Sequence, residues 1–211
     1  MPRHALLNDI NPHVINFYRC LKRGLATSLQ MENDERRYYA HRDRFNALLA
    51  GQGDTAEAAA LFYHLNRTGY NGLCRFNQQG GFNVPFGKYK QITYTRDFAP
   101  YRDTFAGWDF SSTDFETIPL KPGDFVYADP PYDVEFTHYA KEGFTWDDQV
   151  RTAEWLAQHP GPVVLSNQAT KRIVALYARL GFTLQFLQAP RMISCTGDRT
   201  PAKDVLALKN F

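Results

Sequence analysis

The residues best suited to chemistry lie in "GDFVYADPPYDV", Gly123 to Val134. Asp129 follows an apolar run directly and is itself followed by Pro130, Pro131 and Tyr132. Proline fixes φ and donates no N–H, so the backbone leaves the run stiffly. The carbonyls of the turn are then expected to lack local donors and to face outward. The stretch offers a carboxylate and a bare carbonyl side by side, next to an aromatic plane at Tyr132. That is a receptor for an aromatic amine, whose nitrogen carries two N–H donors and a lone pair delocalised into its ring. Two acceptors gripping both hydrogens would draw the nitrogen toward a tetrahedral shape and free the lone pair, while the ring stacks on the tyrosine. An Asp-Pro turn above a buried tyrosine could be purely structural. The position of this one, straight after an apolar strand, favours a site, because open α/β sheets bind ligands beyond the carboxyl ends of their strands.

Several elements must position that turn. "HALLND" reads as a strand ending at Asn8–Asp9, and "NPHVINFYRCLKRG" as a helix capped by Asn11 with Pro12 in its first turn. "ERRYYAHRDRFNALLA" and "DTAEAAALFYHLNRTGY" read as helices joined by the loop "GQGD". That loop's GxG before a helix resembles a nucleotide loop only superficially, since its apolar lead-in is too short. "NGLCRFNQQGGFNVPFGKYKQI" mixes Gly, Asn and Gln with Arg, Lys and aromatics, and reads as irregular or hairpin structure on a surface. From about residue 112 a β/α rhythm resumes. "DFVYAD", "GPVVLSN", "FTLQFLQA" and "DVLALKN" read as strands. "TWDDQVRTAEWLAQH", with Thr145 as cap, and "ATKRIVALYARLG", ending at Gly181, read as helices. "TGDRTPAK" reads as a hairpin loop. The alternation predicts an α/β fold with a largely parallel sheet and an antiparallel pair at its end.

Composition narrows the classes. A chain of 211 residues fits one domain, or one domain with an insertion. Hydrophobic residues at 44 % and charged residues at 22 % argue against disorder. A net charge of +2 permits a nucleic-acid partner without demanding one. Cys20, Cys74 and Cys195 are far apart with no CxxC pair, which speaks against a disulfide framework or a zinc site. No membrane-length apolar run and no signal-peptide core are visible, so a cytoplasmic protein is expected.

The motifs taken together resemble the DNA adenine-N6 methyltransferases of the Dam type. "DFVYADPPY" resembles that family's catalytic motif. "LLNDINPHVINFYRCLK" resembles the strand and helix holding its acidic cofactor residue. "FYHLNRTGYNGLCRFNQQGGFNVPFGKYK" resembles the target-recognition segment of enzymes acting at GATC, and "GPVVLSNQAT" and "RMISCTGDRTPAKDVLAL" resemble its later strands and loops. The resemblance implies a Rossmann-like methyltransferase fold using S-adenosylmethionine. Residues 1–27 and 106–211 would form the catalytic domain and 28–105 the DNA target-recognition domain. The implied partner is double-stranded DNA, read by a monomer, and the implied setting is restriction–modification or a prophage.

Carried over position by position, Asp129, Pro130, Pro131 and Tyr132 would hold the target adenine. Asp9 would accept hydrogen bonds from the cofactor ribose, although a local capping role fits it equally. Asp114 and Phe115 would contact the cofactor's adenine, with Asp109–Phe110 as the rival pair, and Asp129 would border the cofactor too. Tyr70 would wedge into the base stack left by a flipped base, with Asn71 and Leu73 beside it. Arg75 would bond a guanine edge bidentately. Asn77 belongs to the same reading surface, and Pro85 could touch a thymine methyl. Lys88, Tyr89 and Lys90 would reach phosphates, though a solvated hairpin would place the lysines similarly.

The family's glycine-rich cofactor turn precedes its acidic strand, and no such motif occurs in this sequence. The expectation is therefore an N-terminally incomplete fold, with unpaired strand edges and exposed apolar side chains. Two alternatives to catalysis on DNA follow: a truncated or decayed relative that binds DNA without transfer, and a methyltransferase acting on another amine in RNA or protein.

Overall fold

Ala5–Asn8 forms strand β1, which pairs in parallel with β2, Trp108–Ser111, in the register Ala5↔Trp108 to Asn8↔Ser111. Between them the chain runs through α1 (Pro12–Lys22), α2 (Glu35–Leu49), α3 (Ala56–Thr68) and the short α4 (Ala99–Thr104). The first three helices each start on a side-chain cap. Asn11 accepts from the His13 N–H, Asp34 from Arg37 and Thr55 from Ala58, satisfying donors that have no partner within a helix. Gly51, Gly53 and Asp54 of the expected loop "GQGD" fall between α2 and α3, and Gln52 lies outside the described residues. The computed structural model describes residues 2–51, 53–133, 143–189 and 202–211. Val134, Cys195 and residues 196–201 of the expected hairpin loop lie outside that set.

β2 is not among the strands the sequence predicts. It is only four residues long and follows a helix directly, so its pattern is too short to register. Its outer edge is closed by side chains. The Trp108 carbonyl accepts from Lys22 Nζ at 2.6 Å and the Phe110 carbonyl from Arg19 Nη2 at 3.0 Å. Two basic residues in the last turns of α1 thus occupy a row of acceptors that could otherwise pair with another strand.

The described residues separate into two compact units, one running through Asp114 and the other starting at Phe115. The first has its apolar interior around Tyr38, Phe45, Leu61, Phe62, Leu65, Phe82 and Val84, with a second cluster around Cys20, Leu21, Leu25, Ala59, Phe98 and Phe105. Within it, α2 meets α3 at His41 and His64, whose Nδ1 atoms lie 3.3 Å apart.

The second unit contains β3 (Val126–Ala128), α5 (Trp146–Ala157), β4 (Val163–Gln168), α6 (Lys171–Arg179), β5 (Thr183–Ala189) and β6 (Ala202–Lys209). Its sheet order is β3-β4-β6-β5. β3 and β4 are parallel, while β6 runs antiparallel to both of its neighbours. The antiparallel pair expected at the end is β5 and β6, but β6 also pairs antiparallel with β4, so the sheet is less parallel than expected. β6 follows β5 without an intervening helix among the described residues and inserts between β4 and β5. Val205 and Ala207 on β6 are fully buried against Val163, Leu165, Ile173, Leu176 and Tyr177. Thr145 caps α5 in a reciprocal capping box with Asp148. Among the described residues β3 forms an edge of this sheet, and Phe125 and Tyr127 stand exposed there.

Candidate active site and nucleic-acid interface

The turn at Asp129 emerges where β3 ends. Ala128 is registered with Leu165 on the parallel neighbour β4, so Asp129 stands level with Ser166 and the two side chains rise on one face. Ser166 Oγ donates to Asp129 Oδ1 at 2.5 Å and approaches the Ala128 carbonyl at 3.3 Å. Burial pushes the Tyr132 phenol up, and the neighbouring Ser166 hydroxyl partly offsets this. Asp129 itself is exposed and Tyr132 half-buried.

The opposite face of the turn is anchored. Gln149 Nε2, from α5, donates to the Pro131 carbonyl at 2.7 Å. This corrects one expectation: the carbonyls of the turn are not all without local donors. Pro131 is bonded from below, whereas the Pro130 carbonyl has no hydrogen-bond partner among the described residues. Asn167, next to Ser166 on β4, points to the face that Ser166 leaves. Its Oδ1 accepts from the Asp133 N–H at 2.8 Å and from the Gln168 N–H at 2.9 Å. Its Nδ2 donates to Gln149 Oε1 at 2.9 Å and to the Tyr177 hydroxyl at 3.1 Å. All four bonds that an amide can make are present, which is what a fully buried Asn requires.

Asp133 completes the anchor. Its side chain is almost wholly buried and accepts from Nε and Nη2 on one edge of the Arg172 guanidinium and from Thr170 Oγ1 at 2.7 Å. Burial pushes the Asp133 carboxyl up, but the hydrogen bonds from Arg172 and Thr170 and the Arg172 charge together hold it below the usual carboxylate range. Arg172 in turn lies over the Trp146 ring at 4.6 Å. Sequence reasoning passed over Ser166, Asn167, Gln149, Asp133 and Arg172. The available signal was the polar run Ser-Asn-Gln at the end of an apolar strand, which burial makes expensive unless every group is paired.

In the first unit, Asp9 and Asp114 follow the carboxyl ends of the adjacent strands β1 and β2. Asp9 Oδ1 accepts from the Asn11 N–H at 2.7 Å, and Asn11, not Asp9, caps α1. Asn8 pins the exit of β2, accepting from Ser111 Oγ at 2.8 Å and donating to the Thr113 carbonyl at 3.0 Å. Of the rival pair, Asp109 is exposed, while Phe110 stacks on Tyr18 at 5.9 Å and packs into the interior. Phe115 belongs to the second unit, where its ring meets Trp155 at 5.4 Å and the Arg151 guanidinium at 4.6 Å.

The glycine-rich segment of the first unit folds back on the end of α3. Tyr70 N–H donates to the Pro85 carbonyl at 2.9 Å, Gly87 N–H to Thr68 at 2.8 Å, and the Tyr89 hydroxyl to Gly69 at 2.9 Å. Gly87 is required by this approach, since a Cβ there would sit 2.4 Å from the Tyr89 ring and 2.9 Å from the Gly69 backbone. Asn71 and Gly72 take φ of 51° and 66°, a left-handed corner that projects Tyr70 outward. Tyr70, Asn71, Phe86, Gly87, Lys88 and Tyr89 line an open cleft of about 280 Å³. Lys88, Lys90 and Pro85 are exposed, and Leu73 packs partly into the interior. Arg75 Nε donates to Asn83 Oδ1 at 2.8 Å and its Nη2 to the Asn83 carbonyl at 3.2 Å, so part of its fork is held across the hairpin. Asn77 Oδ1 closes that hairpin by accepting from Gln79 and Gly81.

Among the described residues, no three His, Cys, Asp or Glu side chains gather as a metal site, and no helix is long and apolar enough to cross a membrane. Comparison with known proteins gives a concordant set of similarities. A family model described as D12 class N6 adenine-specific DNA methyltransferase matches residues 1–192. The retron Ec67 DNA adenine methylase of Escherichia coli is 36 % identical over 220 residues, covering 96 % of this chain and 75 % of the relative. A DNA adenine methylase of Vibrio cholerae is 37 % identical over 229 residues, covering 96 % and 79 %. The DNA adenine methylase of Escherichia coli K12 is 32 % identical over 223 residues, covering 96 % and 78 %.

Proposed function

Since the chain belongs to the D12 class of N6 adenine-specific DNA methyltransferases, we propose that it moves a methyl group from S-adenosylmethionine to adenine N6 in duplex DNA, at a GATC-type sequence and with the target base flipped out of the helix. The observation that carries this reading is the pairing of an exposed Asp129 carboxylate with an adjacent Pro130 carbonyl that has no partner among the described residues. Two acceptors at consecutive positions match the two hydrogens of one amino group.

The mechanism follows from those acceptors. Asp129 takes one N6 hydrogen and Pro130 the other. Their pull localises the lone pair on nitrogen, and Tyr132 presents its ring to the base. As the N–C bond forms, the amine becomes more acidic, and the Asp129 carboxylate stands in place to accept the departing proton. S-adenosylmethionine, when bound, supplies an electrophilic methyl group whose carbon–sulfur bond breaks with both electrons going to sulfur. The residues fit its ribose and adenine end. Asp9 has one carboxylate oxygen beyond the one its turn uses, and Asp114 follows the end of β2, where open sheets take ligands.

Residues 28–105 would read the DNA. Tyr70 would enter the stack, Arg75 and Asn77 would face base edges and Pro85 a thymine methyl. Lys88, Tyr89 and Lys90 would meet phosphates, with Asn71 and Leu73 shaping the corner. The test is transfer of labelled methyl to a duplex containing GATC, set against one with the site scrambled. Transfer confined to the first duplex and abolished by Asp129→Ala is expected. Salt-dependent DNA binding without any methyl transfer would overturn the reading.

A further inference from the structure

An aspartate side chain held only by its backbone turns about its last torsion, whose wells are broad. Asp129 is not held in that way. Ser166 Oγ sits 2.5 Å from Oδ1, and Ser166 is only 2 % exposed, in a strand whose neighbours on both sides are paired. A hydroxyl has one proton to give. The ionised carboxylate is a stronger acceptor than the Ala128 carbonyl at 3.3 Å, so the proton goes to Asp129. One buried side chain thus holds the carboxylate of the motif.

We propose that Ser166 is a positioning residue for Asp129: by occupying Oδ1 it leaves Oδ2 as the atom that receives the target amine. The proposal rests on the reading of Asp129 as the amine acceptor and adds how that acceptor is aimed. The turn is held on two faces by consecutive residues of β4. Asn167 and Gln149 fix its backbone from one side, and Ser166 fixes its carboxylate from the other. Ser166 touches neither base nor methyl donor. It acts through the geometry of Asp129, so its loss should lower the rate at saturation and spare binding.

The experiment compares Ser166→Ala, Ser166→Thr and the unaltered chain on a GATC duplex, measuring kcat, KM for DNA and for S-adenosylmethionine, and thermal unfolding. A second readout is fluorescence of a duplex with 2-aminopurine at the target position, which reports base extrusion without turnover. For Ser166→Ala, kcat falls by roughly 10- to 100-fold while both KM values and the fluorescence change by less than about threefold. Ser166→Thr, which keeps the hydroxyl, recovers most of the rate. An Ala variant with unchanged kcat overturns the proposal and leaves the Asp129 reading intact. So does an Ala variant whose loss matches its drop in thermal stability and is not recovered by Thr. An unaltered chain that transfers no methyl overturns the Asp129 reading and this proposal with it.

Discussion

Asn167 on β4 donates to Gln149 on α5 at 2.9 Å, and this single amide–amide bond joins strand to helix directly beneath the Pro-Pro turn. Gln149 passes the constraint on, donating to the Pro131 carbonyl at 2.7 Å. The stiffness of the turn therefore has two sources: the proline rings restrict φ, and a buried polar network holds the Pro131 carbonyl.

Replacing Gln149 by Leu keeps the volume and removes both bonds. One Asn167 hydrogen would then be buried without a partner and the Pro131 carbonyl would lose its donor, at a cost of about 1–3 kcal/mol for the buried group left unpaired. Urea unfolding should show a lower midpoint with an unchanged m-value, and methyl transfer should fall with it.

The Asp133–Arg172 pair makes stability sensitive to acid. The folded carboxyl is held below its unfolded value of about 3.9, so its contribution is complete above that pH. It is lost as pH falls through the lower folded value. Asp133→Asn should cost about 1–3 kcal/mol at pH 7, since a nearly buried acceptor loses its charge-assisted bonds while the guanidinium it leaves is about half exposed to solvent. It should also flatten the fall in stability below pH 4. Urea titrations at pH 7 and at pH 3 check both statements.

His64 gives a second, separate window. Burial lowers it to about 4, with the His41 charge adding to the effect, a hydrogen bond with the Glu32 carbonyl opposing it and the Arg37 charge adding again. The unfolded imidazole titrates near 6.5, so between roughly 6.5 and 4 the unfolded chain binds one more proton than the folded one. Stability therefore drops as pH falls across that window, by up to about 3 kcal/mol. His64→Gln should remove most of this slope, read as the difference in unfolding free energy between pH 7 and pH 4.5.

Arg75→Ala should relax sequence choice on DNA, lowering discrimination by about 1–3 kcal/mol at one position. Lys88→Ala and Lys90→Ala should instead weaken binding to all duplexes alike and reduce the salt slope by about one unit each. Competition binding at two salt concentrations separates the two behaviours. Unaltered sequence choice in Arg75→Ala would remove that residue from the reading surface.

Much of this protein is determined by sequence alone. The helix caps at Asn11 and Thr145, and the strands Val163–Gln168 and Ala202–Lys209, follow from local propensity and periodicity, which act over a few residues. The chemistry of Asp129–Tyr132 is legible for the same reason, because a carboxylate, two prolines and an aromatic ring are contiguous. Tertiary structure decided the rest. β2 is too short to announce itself and exists because β1 pairs with it and α1 closes its outer edge. β6 became antiparallel to both neighbours through the choice of which strand it joined. Ser166, Asn167, Gln149 and Arg172 reach the turn from positions 18 to 39 residues away from their partners in it. Hydrogen bonds across such separations depend on which faces of sheet and helix are brought together, and no local pattern in a sequence encodes that.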